Sequence, residues 1–287
     1  MYKRQEWSYE TTDAIEAPAC VVGGVVYVGC TDDNLYAFDA VNGSLKWTYE
    51  TEGMIMGSVN YCVTADGRHL IIVGSYDSKI HCVDAVKGEP VWTYETENYV
   101  NGSPSVYEGM AIAGGCDAQI HAVNIINGKV IKSIDTGSYI AGSAAVAAGR
   151  VYVGNYGNVF LCADIASGEI VWSYESDSAF FSSPAMAEDV VVVGSRDKRL
   201  YCFNRDTGEQ LWYFQTQGEI DSSPVICGDK VLFGSEDGRF YMVSLSDGKQ
   251  IWSYELGQPI SSSAAIAKGY VVIGCDDGSV YTFKAGN

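Results

Sequence analysis

DIASGEIVW, residues 164 to 172, is the stretch on which the fold turns. Asp164 closes one apolar run, Ser167 and Gly168 make a turn, and Trp172 sits in the run that follows. Glycine supplies the positive φ that such a turn needs. Nearly the same phrase returns as Asp39-Gly43-Trp47, Asp84-Gly88-Trp92, Asn204-Gly208-Trp212 and Ser244-Gly248-Trp252. A phrase repeated at near-constant spacing is the signature of a repeat architecture.

A second punctuation mark sets the period. Glycine ends a β-branched run at Gly29, Gly74, Gly114, Gly154, Gly194, Gly234 and Gly274. The first interval is 45 residues and the other five are 40. The longer one contains an expanded hairpin, Thr64-Ala65-Asp66-Gly67-Arg68. Each unit reads as four short strands, A to D. In the unit from Ser182 to Tyr213 these are Ser183–Met186, Val190–Val193, Leu200–Phe203 and the run carrying Trp212. Asp237-Gly238 and Asp277-Gly278, between strands B and C, read as type I′ hairpin turns.

The seventh unit has strands A to C, ending in Val280–Phe283, and no strand D. A D-like segment, Glu6-Trp7-Ser8-Tyr9, stands at the other end of the chain. The expected fold class is therefore all-β: a seven-bladed β-propeller of four-stranded antiparallel blades, one domain over residues 1–287. The N-terminal strand completes the last blade, which closes the ring and removes an open sheet edge. Trp7, Trp47, Trp92, Trp172, Trp212 and Trp252 are expected to be structural, each burying its ring at a blade seam. Lys132 replaces Trp in the third unit, its stem lying along the seam with the ammonium in water.

Bulk properties exclude some partners. The formal net charge is −18, which argues against nucleic acid, because phosphates are held by Lys and Arg. No apolar run is long enough to span a bilayer. Gln5-Glu6-Trp7 follows the basic start Met1–Arg4 where a leader would turn apolar. The expected location is cytoplasmic, or extracytoplasmic if the sequence is a mature or excised piece, and the expected state is a monomer. Among the nine cysteines, Cys82, Cys162 and Cys202 share one strand C slot and read as core packing. Cys30 and Cys275 also share a repeat position; free thiols are the favoured reading there, with a disulfide as the alternative. No zinc-type cysteine spacing occurs.

The Asp-x-x-x-Gly-x-x-x-Trp phrase, followed by a Ser-Ser-Pro-Ala strand, resembles the repeat of the pyrroloquinoline-quinone-like (PQQ-like) β-propellers. The resemblance runs from Trp7 to Phe283. It implies kinship with quinoprotein dehydrogenases, with a lipoprotein scaffold of bacterial outer-membrane assembly, and with propellers appended to kinases or adenylating enzymes. The dehydrogenases carry a vicinal Cys–Cys pair over the quinone, and this chain has no adjacent cysteines. No PQQ, no calcium and no catalytic, cofactor or metal residue is expected.

Candidate chemistry is sparse. His81 and His121 occupy the strand C slot of Tyr36, Tyr201, Tyr241 and Tyr281 and read as packing aromatics, while His69 lies in the expanded hairpin. Asp32-Asp33 and Asp276-Asp277 read as hairpin chemistry before calcium ligation. Strand direction alternates, so the D–A and B–C loops share one face. There the sequence departs from its repeat: Met54, Met56, Tyr76, Tyr99, Asn101, Tyr156, Phe181, Arg196, Asp221 and Glu236. Exposed apolar residues beside polar ones mark partner surfaces. The expected function is a non-catalytic scaffold binding a protein or small ligand through this face, with Arg196 as the charged anchor. The alternatives are a quinone-dependent enzyme and a sensor domain of a larger protein.

Overall fold

A computed structural model describes residues 5–284 and shows strands without helices among them. Met1 to Arg4, part of the stretch read for a leader, lie outside the described residues. In the first sheet, Cys20–Val22, Val25–Gly29, Asn34–Asp39 and Leu45–Glu50 pair antiparallel in chain order. Five more sheets repeat that order, and the seventh has three strands, Ala265–Ala267, Tyr270–Cys275 and Ser279–Lys284. The all-β class and the seven repeating sheets are as the sequence predicts. No ladder among the described residues joins Glu6–Tyr9 to a strand.

Burial explains the sequence pattern of each strand. Strands B and C are buried on both faces, as in Phe160 to Ala163, so they are apolar without strict alternation. Strand D is the outer edge and alternates, with Trp47 buried between exposed Lys46 and Thr48. Between strands C and D every four-stranded sheet slips register once, for example after the pair Ala37–Trp47, where Phe38 then faces Leu45. Such a bulge re-aims the side chain beside it, and here that side chain is the tryptophan.

Two local expectations need correction. Strand A of the fifth sheet is Ala185–Met186, not Ser183–Met186. Ser182 Oγ donates to Gly194 O at 3.0 Å and accepts from Gly194 N at 2.8 Å, and Ser183 N donates to Ser223 Oγ at 3.0 Å. Side-chain hydroxyls thus take the ladder's place at Ser182 and Ser183. The B–C hairpins are not type I′ turns either. Gly238 has φ +79° but Asp237 does not have positive φ, and Gly238 N donates to Ser235 O at 3.1 Å. The turn is type I followed by one left-handed residue, a three-residue solution equally compatible with strand twist.

The chain divides into two compact units, one running to Ala144 and the other beginning at Ala145. The first holds three sheets and the second four. Four pairs of neighbouring sheets, two in each unit, meet through one recurring contact. Trp47 Nε1 donates to Ala85 O at 3.1 Å and Trp92 Nε1 to Ile125 O at 2.9 Å in the first unit. Trp172 bonds Arg205 O at 3.0 Å and Trp212 bonds Leu245 O at 2.8 Å in the second. Each ring also lies on the turn glycine of the sheet it reaches: a Cβ on Gly88 would stand 2.7 Å from the Trp47 ring. The Gly and Trp of the opening phrase are therefore partners across a seam. Trp7 makes the same contact with Ala40 O, at 3.1 Å, on the first sheet.

Candidate functional site

Each D–A loop is built around one buried anchor. Ile55, Val100, Phe180, Ile220 and Ile260 are fully buried. Each packs on the glycine that ends strand B of the preceding sheet; a Cβ on Gly74 would meet Val100 at 2.5 Å. In an extended segment, burying one residue turns its two neighbours the other way. Met54 and Met56 flank Ile55, Tyr99 and Asn101 flank Val100, and Glu219 and Asp221 flank Ile220.

The loop frame repeats even where its side chains vary. Tyr76 N donates to Met54 O at 2.9 Å, Cys116 N to Tyr99 O at 2.8 Å, Arg196 N to Ala179 O at 3.0 Å and Glu236 N to Glu219 O at 2.9 Å. An aspartate in most B–C loops secures the next turn of the frame. Asp77 Oδ2 accepts from Glu52 N at 3.2 Å, Asp117 Oδ2 from Glu97 N at 3.3 Å and Asp237 Oδ2 from Gln217 N at 3.0 Å. The same carboxylates bond the strand C ring four residues on, as Tyr241 Oη does to Asp237 Oδ2 at 2.8 Å. Burial alone would raise Asp32, but hydrogen bonds from Tyr36, Thr12, Cys30 and Asn34 outweigh it and bring the group down to about 2. Sequence reasoning missed this device. Its signal is the spacing Asp-x-x-x-Tyr/His, present in six of the seven units.

In the first unit the frame displays an aromatic ridge. The Tyr76 and Tyr99 rings stack with centroids 4.8 Å apart and planes 3° from parallel. Tyr99 is 48% exposed and Met54 38%, while Met56 is half-buried. Asn101 turns its amide nitrogen to Cys116 Sγ at 3.2 Å.

In the second unit the same positions form a charged clamp. Tyr156 and Phe181 lie 4.5 Å apart, and the Arg196 guanidinium sits 3.5 Å from the Phe181 centroid. Arg196 Nε and Nη2 donate to Asp221 Oδ1 and Oδ2 at 2.9 and 2.6 Å, and Glu219 Oε2 lies 3.3 Å from Nε. A planar bidentate pair of this kind fixes orientation as well as charge. Glu236 follows with a pKa raised first by burial and then by Asp221, Asp276 and Glu219, with Arg196 opposing. The ten residues chosen from sequence thus resolve into two groups, one in each unit. Sequence reasoning did not include Glu219 among them.

His81 and His121 are structural by the same repetition. His81 Nε2 lies 3.0 Å from Asp77 Oδ2, and its Nδ1 is 3.0 Å from Tyr49 Oη. His121 Nε2 lies 2.8 Å from Asp117 Oδ2, and its Nδ1 is shared between Tyr94 Oη at 3.2 Å and Ser133 Oγ at 3.3 Å. Ser133, His121 and Asp117 do stand in triad order, which the sequence did not suggest. The imidazole is nevertheless the local version of the Tyr–Asp bond made in other sheets, and Tyr94 competes for its Nδ1. Asp32 and Asp277 are likewise committed to Tyr36 and Tyr281.

All nine cysteines are free thiols. Cys30 Sγ donates to Ala14 O at 3.1 Å, the role Ser75 Oγ plays toward Gly53 O at 2.8 Å. Burial pushes Cys82 and Cys202 up to about 12 and Cys162 to about 11, which keeps them protonated and unreactive.

Residues 62–287 match the family described as beta-alanine-activating enzyme, beta-propeller. Residues 3–60 match the one described as outer membrane protein assembly factor BamB. Among solved structures, BamB from Moraxella catarrhalis is 22% identical with a TM-score of 0.81, over 97% of this chain and 87% of that one. The computationally designed Ika8 protein is 16% identical with a TM-score of 0.72, over 96% and 97% of the two chains. No curated protein matches the chain.

Proposed function

From the premise that the chain belongs to the β-propeller family of the beta-alanine-activating enzyme, we propose that it is a non-catalytic scaffold. It recognises a partner protein through the D–A and B–C loops of each unit. One observation carries the proposal: a backbone frame that repeats bond for bond holds side chains that do not repeat. Fold maintenance uses the Asp, the buried anchor and the Trp that most units share. It makes no demand for Met54, Tyr99, Phe181 or Arg196 in particular, and a rigid frame with variable side chains is how recognition surfaces are built. Fold by itself does not assign function; the argument rests on these loops.

The family description, the propeller of an activating enzyme, favours one refinement: recognition beside a separate activity carried by another polypeptide or domain. A paired-variant experiment tests the main proposal. Met56→Asp with Phe181→Asp is expected to lose the partners that co-purify with the wild-type chain. A control pair on the opposite loops, Val41→Asp with Asp206→Lys, is expected to keep them. Retention of every partner by the first pair at unchanged thermal stability would sink the proposal.

A further inference from the structure

The two units treat the same face differently, and the difference points to a partner chemistry. In the second unit the face supplies its own cation. Arg196 is stacked on Phe181 at 3.5 Å and clamped by Asp221 at 2.6 and 2.9 Å. In the first unit the position of Arg196 is taken by Tyr76 and that of Glu219 by Tyr99. Their parallel stack leaves Tyr99 48% exposed. The four loops around this stack, residues 51–57, 75–78, 96–102 and 115–118, contain no Lys or Arg, whereas they contain Glu52, Asp77, Glu97 and Asp117.

Asp77 and Asp117 are buried against His81 and His121, and Glu52 holds Lys79 at 2.6 Å. Glu97, two residues before Tyr99 on the same loop, is exposed. This unit therefore presents an aromatic platform and uncompensated negative charge, and it supplies no cation from those loops. The clamp in the second unit shows what a guanidinium does between such groups within this fold. Charge and ring together select a cation that is planar and can stack, which is arginine before lysine.

We propose that the D–A and B–C face of the first unit binds an arginine-bearing segment of a partner protein. A guanidinium stacks on the Tyr99 ring and pairs with Glu97. The proposal rests on the docking reading above and adds the chemistry of the docked segment.

The test uses the whole chain and a capped decapeptide alternating arginine and glycine, titrated calorimetrically at low ionic strength. Tyr99→Ala is expected to weaken binding by about 3- to 30-fold, the range of a cation–π contact from exposed to desolvated. Tyr99→Phe keeps the ring and is expected to stay within about twofold of wild type, and Tyr99→Ala is expected to keep the wild-type thermal midpoint, which separates lost stacking from a folding defect. Glu97→Gln is expected to weaken binding, and Tyr156→Ala, beside the filled clamp, to leave it unchanged. A peptide with citrulline in place of arginine is expected not to bind.

Equal binding by Tyr99→Ala and wild type would overturn the proposal, since attraction would then be bulk charge. So would equal binding of the citrulline peptide, or no binding of the arginine peptide. A lysine peptide that binds as tightly and loses as much on Tyr99→Ala would overturn the arginine assignment and leave the docking reading standing. The docking reading fails separately, when the Met56/Phe181 pair keeps its partners.

Discussion

Trp92 and Gly128 give the sharpest quantitative expectation. Trp92 is 9% exposed and donates Nε1–H to Ile125 O at 2.9 Å. A Cβ on Gly128 would lie 2.7 Å from its ring, and Gly128 has φ +68°. Trp92→Ala removes a buried ring of about 150–250 Å², worth about 4–6 kcal/mol at ~25 cal/mol per Å². Large-to-small core series give about 3–5 kcal/mol for the same change. About 4 kcal/mol is the expectation, part of it the loss of the donor to Ile125 O. Gly128→Ala forces an L-residue into left-handed backbone at about 1–2 kcal/mol, and it also drives a methyl into the ring. In the Trp92→Ala background the ring is gone and only the backbone cost remains. A double-mutant cycle by urea unfolding, followed by fluorescence and circular dichroism, should give a coupling of about 1 kcal/mol or more. If Gly128→Ala costs the same in both backgrounds, the seam contact is not the reason for the glycine.

Three further outcomes are expected. Glu236 holds its proton to higher pH in the folded chain than its ordinary value of 4.5, through burial and then Asp221, Asp276 and Glu219. The native state then binds more protons than the unfolded one, so stability falls as pH rises above that value. Glu236→Gln should be more stable than wild type at pH 7, and the advantage should vanish at acid pH; an advantage that persists there contradicts the sign. Native alkylation with iodoacetamide should label exposed Cys227 first and leave Cys82, Cys162 and Cys202 untouched; early labelling of any of the three, by mass spectrometry, refutes their burial. Lys132 faces Ala122 in the register in which Trp47 faces Ala37, so Lys132→Trp should raise the thermal midpoint, and an unchanged or lower value counts against it.

The scaffold was legible because its determinants are local and repeated. The glycine at the end of strand B and the turn glycine before each Trp recur at a fixed period, and period alone gives seven sheets. What each glycine touches was not legible, because Trp92 and Gly128 lie in different units of the repeat and only packing brings them together. The B–C turn type was misjudged for a related reason. Asp-Gly favours positive φ at two residues, but a three-residue loop needs only one, Gly238 here and Asn158 in the loop that lacks the Asp–Tyr pair. On the face, loops in which the repeat lapses were enough to nominate Met54, Met56 and Asp221. Their grouping was beyond it, since the Arg196–Asp221 clamp joins a B–C loop to the D–A loop of the next sheet. Trp7 shows both sides: its role at a seam was predicted from the missing seventh strand D, while its hydrogen bond to Ala40 O was not.

Site-specific photocrosslinking in the cells that make the protein reads the proposed face itself. A benzophenone side chain would replace Tyr99 or Tyr156 on the proposed face, and Val41 or Asp206 on the opposite loops. Discrete protein adducts are expected from positions 99 and 156 and none from 41 and 206. Adducts confined to 41 and 206 would contradict the proposal.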